Sequence, residues 1–453
     1  MPDNYTLSPQ KIKDPPNSFG SRLKFLGPGF ILSASIVGSG ELIATTVLGA
    51  RAGFIAFWVI IASCLVKVAI QIEFGKRAIC TGETPMQSFS TLPGPSFKKG
   101  NWAVWTVFLL TLLKIVQLGG MLGGAAIVLT MLFPGLPVIV FVLLIAVFVA
   151  LLIYKNYYEL VEKASLFMVV AFTLLTITSL VAVSFTPYDF TLADLASGLQ
   201  FNLPSELIIV AIGAFGITGV ASDEIIAYNY WCLEKGYAAY CGPSDNSDEW
   251  KQRANGWMKV MYLDAIVAMI IYTTVTAAFY ILGASILHER ENIPEGNTLI
   301  ATIANIYTQT LGEGIRIAYL AGSFFVLFSS VFATLAYWSR LFSDIFGQLG
   351  WIDFTNVAAR QITIATLAWV FPITWAIAYF FIELPVLMIL SGGLVGSVLL
   401  LVVVFAAVCF RYRKYKYVFK ASWVYDVFLW CSVVSIGLVA VYGLVKLVDY
   451  ISI

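Results

Sequence analysis

Long apolar runs separated by short polar linkers dominate the pattern of this chain. Eleven such runs lie at 27–49, 55–80, 102–133, 136–154, 158–184, 203–232, 257–287, 314–345, 360–381, 384–410 and 425–449. About 20 apolar residues cross the hydrocarbon core of a bilayer as a helix, so each run predicts a transmembrane helix. Short alternating segments, which are typical of a transmembrane β-barrel, do not stand out.

Two of these runs, the first and the sixth, are interrupted by glycine and polar residues. The stretch "GPGFILSASIVGSGELIATTVLGA" (27–50) carries Gly-Ser-Gly-Glu at its middle, and "VAIGAFGITGVASDEIIAYNYW" (210–231) carries Thr-Gly and Ser-Asp-Glu. Interrupted spans in corresponding halves of a chain indicate a transporter binding site. The residues that we expect to bind the cargo are Gly38, Ser39, Glu41, Gly219, Ser222, Asp223 and Glu224.

Both interruptions are costly in a membrane and therefore need a compensating ligand or partner. Glycine weakens a helix by about 1 kcal/mol relative to alanine, and a carboxylate at the bilayer centre costs at least about 2.5–3.5 kcal/mol. Unwound backbone is tolerated there only where it lines a cavity or is buried in protein. Three other interpretations stay open: a Gly-Ser packing contact, a structural ion pair of Glu41 with Lys67 or Lys114, and Asp223-Glu224 as the end of a short span.

The order of the spans predicts an inverted repeat. Five spans fill the first half and five the second, and an odd number per half inserts the two halves with opposite orientation. The arrangement resembles the LeuT-type fold, an all-α membrane protein with two inverted five-helix repeats, here followed by an eleventh helix. The predicted divisions are a cytoplasmic N-terminal segment (1–25), the first repeat (26–184), the second repeat (185–410) and the eleventh helix (411–453).

Charge sets the predicted orientation. With the N-terminus in the cytoplasm, most of the 27 Lys and Arg residues fall on the cytoplasmic side. The outer side then carries Arg51, Arg290, Arg316 and Lys446. This bias follows the positive-inside rule and places the C-terminus outside. We expect a multi-pass protein of a prokaryotic inner (plasma) membrane.

Composition excludes several classes of function. The chain is 60% hydrophobic and 12% charged, with a mean hydropathy of +0.87, whereas soluble domains carry about 25% charged residues. A net charge of +1 gives no nucleic-acid surface, and a single histidine excludes a histidine-built metal site or a His-based triad. A nucleotide-binding glycine loop and a soluble domain are also missing from the sequence, so we do not expect an enzyme.

Around the first break the sequence resembles the NRAMP divalent-metal transporter family. "LGPGFILSASIVGSGELIATTVLGARAGF" (26–54) is similar to that family's first helix, and "QIEFGKRAICTG" (71–82) resembles the end of its second helix. The resemblance implies a LeuT-type fold and proton-coupled uptake of Mn²⁺ or Fe²⁺. The site motifs differ, because Gly38 stands where the family has its Asp, Glu41 where it has its Asn, and Ser222-Asp223-Glu224 where it has Met-Pro-His.

The altered motifs decide the predicted cargo. Without the thioether, the breaks offer only oxygen donors, which suit Mg²⁺, Ca²⁺ or Mn²⁺. We therefore predict a secondary active transporter of an Mg²⁺- or Mn²⁺-class cation with Glu41, Asp223 and Glu224 as metal ligands. Protons are candidate co-substrates, and no cofactor is expected. The alternative is a carrier of the same fold for a small organic amine or amino acid that binds no metal. Lys114 and Gln117, one turn apart, are with Thr45 the candidates for a proton or polar pathway.

Overall fold

The computed structural model describes residues 4–38, 40–245, 247–288, 300–305, 312–414 and 423–451, and these are largely helical. Eleven helical units follow one another in the predicted order. Their bounds are α1a (Pro28–Ile36), α1b (Gly40–Ala52), α2 (Phe57–Thr81), α3 (Trp102–Leu132), α4 (Val138–Ile153), α5 (Tyr158–Val183), α6a (Ile208–Ile217), α6b (Ser222–Lys235), α7 (Asp248–Leu287), α8 (Glu313–Gln348), α9 (Val357–Ile382), α10 (Pro385–Cys409) and α11 (Trp423–Ile451).

The expectation of a helical protein with many spans is confirmed. Among the described residues, nine helices are long and apolar enough to cross a membrane, and the bent pair α1a and α1b makes a tenth. Helix α4 has 16 residues, which is shorter than the roughly 20 that cross an average bilayer. The repeat boundaries at 26–184 and 185–410 and the orientation in the membrane stay predictions.

One predicted boundary differs clearly from the structure. Helix α7 begins at Asp248, nine residues before the predicted start at 257, and a short helix Tyr237–Cys241 lies in the polar linker between the predicted sixth and seventh spans. The hydroxyl of Ser247 accepts a hydrogen bond from the Trp250 N–H, and two acidic residues occupy the first turn. These are helix-start signals, but the polar composition of the segment favoured a loop.

Both predicted breaks are present as interruptions of helical geometry. Helices α1a and α1b meet at an angle of 47°, and α1b opens with π-helical turns over Gly40–Thr45. Helix α6a ends at Ile217 and α6b begins at Ser222. Gly219 between them has a φ of +67°, a left-handed conformation that favours glycine.

Packing brings the two broken helices together at the centre of the bundle. Helix α1a packs against α5, α6b, α7 and α8, and α6a packs against α1b, α2, α10 and α11. The α1b–α7 contact is made close by two glycines: a Cβ on Gly283 would lie 2.2 Å from the carbonyl oxygen of Thr46, and a Cβ on Gly49 would lie 2.4 Å from that of Tyr280. Such small residues let helix backbones approach closely in membrane proteins.

Residues 4–17, which we call the N-terminal strap, fold across one end of the bundle. The Lys13 N–H donates to the carbonyl oxygen of Tyr240 at 3.1 Å, and the indole of Trp257 donates to the Lys13 carbonyl at 3.0 Å. The Tyr5 hydroxyl donates at 2.7 Å to Glu234, which also accepts two hydrogen bonds from Arg340. The strap therefore links the ends of α6b, α7 and α8 on the face where the chain begins.

Candidate functional site

The first break is organised by the side chain of Glu41. This carboxylate is fully buried, and its two oxygens accept hydrogen bonds from the backbone N–H groups of Gly38 and Gly219, each at 3.1 Å. Breaking a helix leaves backbone N–H groups without their usual acceptors. One side chain thus satisfies a donor from each break and holds α1 and α6 together at their centres.

Close contacts explain the glycines of the first break. A Cβ on Gly38 would lie 2.0 Å from the hydroxyl oxygen of Ser330 in α8, and a Cβ on Gly40 would lie 2.4 Å from a methyl carbon of Ile217 in α6a. Ser330 uses that hydroxyl to donate to the carbonyl oxygen of Ser35 at 3.0 Å, next to the bend. Ser39 of the predicted site lies outside the described residues.

A buried lysine caps the second break. The ammonium of Lys67 in α2 donates to the carbonyl oxygens of Phe215 and, at 2.8 Å, Thr218, at the C-terminal end of α6a. The hydroxyl of Ser63, one turn earlier, donates to the same two oxygens at 3.0 Å. A cation at a helix C-terminus complements the partial negative charge there. Lys67 is therefore a partner of α6a, rather than the ion-pair partner of Glu41 that the sequence left open.

The start of α6b presents the polar triplet of the sixth span. Asp223 forms a salt bridge with Lys114 of α3, and Glu224 accepts a hydrogen bond from the Ser35 hydroxyl at 3.0 Å. Ser222 donates to the carbonyl oxygen of Gly396 at 3.2 Å and so ties α6b to α10. Carboxylates are favoured in the first turn of a helix, which explains why α6b begins here although the segment is deep in the protein.

A cavity of about 50 Å³ lies between the two breaks. Of the predicted residues, Gly38, Glu41, Gly219, Asp223 and Glu224 line it, together with Lys114 and Gln117. A buried water needs roughly 10–15 Å³ by the same measure, so the cavity has room for a few waters. Ser222 and Thr45 lie outside the lining, and the Thr45 hydroxyl donates to the Gly40 carbonyl within α1b at 3.3 Å.

Two of the residues that line this cavity each have an orphaned carboxylate oxygen. Oδ1 of Asp223 and Oε2 of Glu224 are buried and have no hydrogen-bond partner among the residues that the structure describes. An unpaired buried polar atom is costly, and a charged one more so. Two such oxygens from adjacent residues create a need for a positively charged or proton-donating occupant.

Sequence reasoning missed Met121. With Lys114, Gln117 and Leu118, it forms the face of α3 that lines the cavity. Leu118 and Met121 follow Lys114 by four and seven residues, and this spacing, with the three residues to Gln117, is the periodicity of one helix face, so the sequence positions of Lys114 and Gln117 also indicate Met121. The lining therefore contains one thioether, although neither break has one.

The lining offers few side chains that could bind a metal ion. Within the described ranges, no group of three or more His, Cys, Asp and Glu side chains could hold a metal ion. Glu41 is engaged by backbone N–H groups, which leaves Asp223 and Glu224 as the carboxylates with unused oxygens. An ion bound here would keep part of its hydration shell.

The sequence has recognisable relatives among characterised and uncharacterised proteins. It is 25% identical over 346 residues to an uncharacterized protein of Pasteurella multocida, covering 72% of this chain and 71% of that one. It is also 25% identical over 317 residues to the divalent metal cation transporter MntH of Caldanaerobacter subterraneus subsp. tengcongensis, covering 67% and 68% of the two chains.

Solved structures share the fold. The manganese transporter of Eremococcus coleocola, crystallised with an aromatic bis-isothiourea compound, superposes with a TM-score of 0.68 at 15% identity, covering 97% of this chain and 90% of that one. The nucleobase-cation-symport-1 family transporter Mhp1 gives a TM-score of 0.59 at 13% identity, covering 98% and 92%. MhsT in complex with L-phenylalanine gives 0.54 at 14% identity, covering 96% and 99%. The LeuT-type fold is thereby confirmed, while the cargoes in these names differ widely.

The family assignment comes from the sequence as a whole. The family model described as "Natural resistance-associated macrophage protein-like" matches residues 29–446, from the start of α1a into α11. The match includes both breaks and all the cavity-lining residues. The chain is therefore a transporter rather than an enzyme, and it belongs to the Natural resistance-associated macrophage protein-like (Nramp) family.

Proposed function

We propose that this protein carries a divalent cation of the Mg²⁺ or Mn²⁺ class by alternating access, and that the cation binds between the breaks of α1 and α6. The observation that carries the proposal is the pair of orphaned oxygens on Asp223 and Glu224, two residues that line a central cavity. Kinship to a named divalent metal cation transporter and likeness to a manganese transporter support the same cargo class.

The donor set favours a hard, partly hydrated ion. Two free carboxylate oxygens cannot complete the octahedral shell of six oxygens that Mg²⁺ requires, so waters supply the rest. A cavity with room for a few waters fits this arrangement. Each oxygen of Glu41 has a lone pair beyond the one used by its backbone donor. Glu41 therefore holds the breaks together and contributes negative charge to the ion.

The size of the cavity counts against the predicted alternative of an organic cargo. Pockets for small organic molecules are about 300–1,000 Å³, and this cavity is about 50 Å³. Binding of an amine or amino acid would require the helices around the breaks to move apart. Proton coupling, which the family resemblance implies, stays a prediction, and acidification of the vesicle lumen during cation uptake would test it.

Glu224→Gln is the sharpest single test, because Glu224 lines the cavity without an ion-pair partner among the described residues. We expect Mn²⁺ and Mg²⁺ affinity, measured by calorimetry on the purified protein, to fall about tenfold to a hundredfold. Hydrogen bonds to charged groups contribute about 1.5–3 kcal/mol, and 1.4 kcal/mol is about a factor of ten. The exposed Glu206, changed to Gln, serves as the matched control and should bind as the unmodified protein does.

Two results would contradict the proposal. One is a wild-type protein that binds neither Mg²⁺ nor Mn²⁺ but is stabilised against heat by amines or amino acids. The other is a Glu224→Gln protein with unchanged cation affinity and unchanged uptake into vesicles.

A further inference from the structure

Lys114 places a positive charge inside the cavity that is proposed to bind a cation. Its side chain is almost fully buried, and its ammonium pairs with Oδ2 of Asp223. The α-helical hydrogen bonding of α3 is interrupted at this residue, between Leu113 and Ile115. The ammonium thus stands beside the oxygens that the cargo needs.

A cation bound to Asp223 and the ammonium of Lys114 in its present position would repel one another. Both would be held by the same carboxylate, and like charges a few ångströms apart repel strongly in a buried site. A salt bridge between buried groups is also costly to break unless the released charge finds a new partner. The ammonium therefore needs a second resting place when the cargo binds.

Gln117 offers that place. It follows Lys114 by three residues on the same face of α3, and its Oε1 is buried with no hydrogen-bond partner among the described residues. Both side chains lie against the same face of α10, because a Cβ on Gly396 would lie 3.6 Å from Nζ of Lys114 and a Cβ on Gly392, one turn earlier, would lie 2.3 Å from Oε1 of Gln117. The cavity thus contains an occupied acceptor, Asp223, and a vacant one, Gln117, for a single ammonium.

We propose that Lys114 is a tethered counter-ion that takes the place of the cargo in the empty carrier. It leaves Asp223 for Gln117 when a divalent cation binds, and it returns to Asp223 when the cation is released. This inference rests on the proposed function, since it assigns the cargo to the same carboxylate.

The exchange has a consequence for the transport cycle. A carrier that has released its cargo must return to its starting conformation, and a bare Asp223 carboxylate would make that step costly because an unpaired buried charge is unfavourable. Lys114 neutralises Asp223 during this return step. Cation-for-cation exchange does not include the return of the empty carrier, so exchange does not need Lys114.

Lys114→Met separates the two modes of transport, because Met keeps much of the side-chain volume without the charge. The full-length protein is reconstituted in vesicles and given Mn²⁺. Net uptake into empty vesicles and exchange against Mn²⁺-loaded vesicles are measured in parallel. We expect net uptake to fall at least about tenfold relative to exchange, and Mn²⁺ to bind more tightly because a competing cation is gone.

Lys235→Met is the matched control. Lys235 forms a partly buried salt bridge of 2.6 Å with Glu162, away from the cavity lining. The ratio of net uptake to exchange should be unchanged in this variant. Lys114→Arg, which keeps the charge, should retain net uptake better than Lys114→Met does.

If Lys114→Met does not fold, the double variant Lys114→Met/Asp223→Asn is used instead. Removing both partners of a buried ion pair destabilises a protein far less than removing one. Without the Asp223 carboxylate Lys114 has no partner to neutralise, so net uptake at saturating Mn²⁺ should match exchange. An equal loss of both modes in Lys114→Met, or exchange without net uptake in the double variant, would overturn the inference. A wild-type protein that binds no Mn²⁺ or Mg²⁺ would instead refute the proposed function, and this inference with it.

Discussion

Glu41 in α1 accepts a hydrogen bond from the backbone N–H of Gly219 in α6, so a single carboxylate joins the two broken helices. The other oxygen of Glu41 accepts from Gly38 in its own helix. Glu41 therefore stabilises the contact between the two broken helices, in addition to its proposed role in attracting a cation. The two roles can be separated by experiment.

Glu41→Gln should lower the thermal stability of the protein, whatever its effect on cation affinity. The amide keeps one acceptor oxygen, but its NH₂ group faces a backbone N–H, which leaves a buried donor unsatisfied at a cost of about 1–3 kcal/mol. The melting temperature of the purified protein should therefore fall. An unchanged melting temperature combined with a large loss of cation affinity would show that Glu41 serves the ion alone.

Lys67→Met should destabilise the end of α6a. The carbonyl oxygens of Phe215 and Thr218 would lose their charged donor, and only the hydroxyl of Ser63 would remain to them. We expect a loss of about 1.5–3 kcal/mol, the usual contribution of a charged hydrogen bond. The measurement is thermal or denaturant unfolding in detergent.

The double variant Lys67→Met/Ser63→Ala extends that test. Because both side chains donate to the same two oxygens, the effects should not be additive. The second removal should cost more than the first, since the carbonyls then have neither donor. Strictly additive effects would argue that Lys67 and Ser63 stabilise α6a independently.

Met121→Leu tests whether sulfur takes part in binding. Met121 carries the thioether of the cavity lining, and soft ligands favour soft ions such as Cd²⁺. If oxygen ligands provide the affinity, Met121→Leu should change the ratio of Cd²⁺ affinity to Mg²⁺ affinity by no more than about twofold relative to the unmodified protein. Leu and Met are of similar size, so the cavity should keep its shape. A selective loss of Cd²⁺ binding of tenfold or more, on the order of 1.4 kcal/mol, would show that the sulfur is a ligand.

Removal of residues 1–13 should open the end of the bundle that the N-terminal strap covers. Ile12 packs where a Cβ on Gly242 would stand, and the neighbouring Cys241 is fully buried. Maleimide labelling of Cys241, located by mass spectrometry, should become faster in the truncated protein. Cys64, a buried residue of α2 beside Gly219, is the internal control and should stay protected in both proteins. Equal protection of Cys241 in both proteins would show that the strap does not restrict access.

Local pattern was enough to predict the spans and both breaks. The length of an apolar run is set by the thickness of the bilayer, and a Gly-rich polar interruption stands out against it wherever the helices later pack. The resemblance to the family was also visible in residues 26–54 around the first break. These include glycines such as Gly49, which is needed where two helix backbones come close together. The start of α7 was misjudged, since a polar amphipathic turn and a loop have the same composition.

The partners of the buried charges were decided by tertiary structure alone. The sequence offered Lys67 and Lys114 equally as partners of Glu41, yet one caps α6a and the other pairs with Asp223. Which side chains meet depends on the rotation of α2 and α3 about their axes, and neighbouring helices far away in the sequence set that rotation. For the same physical reason Met121 entered the cavity lining and Thr45 did not.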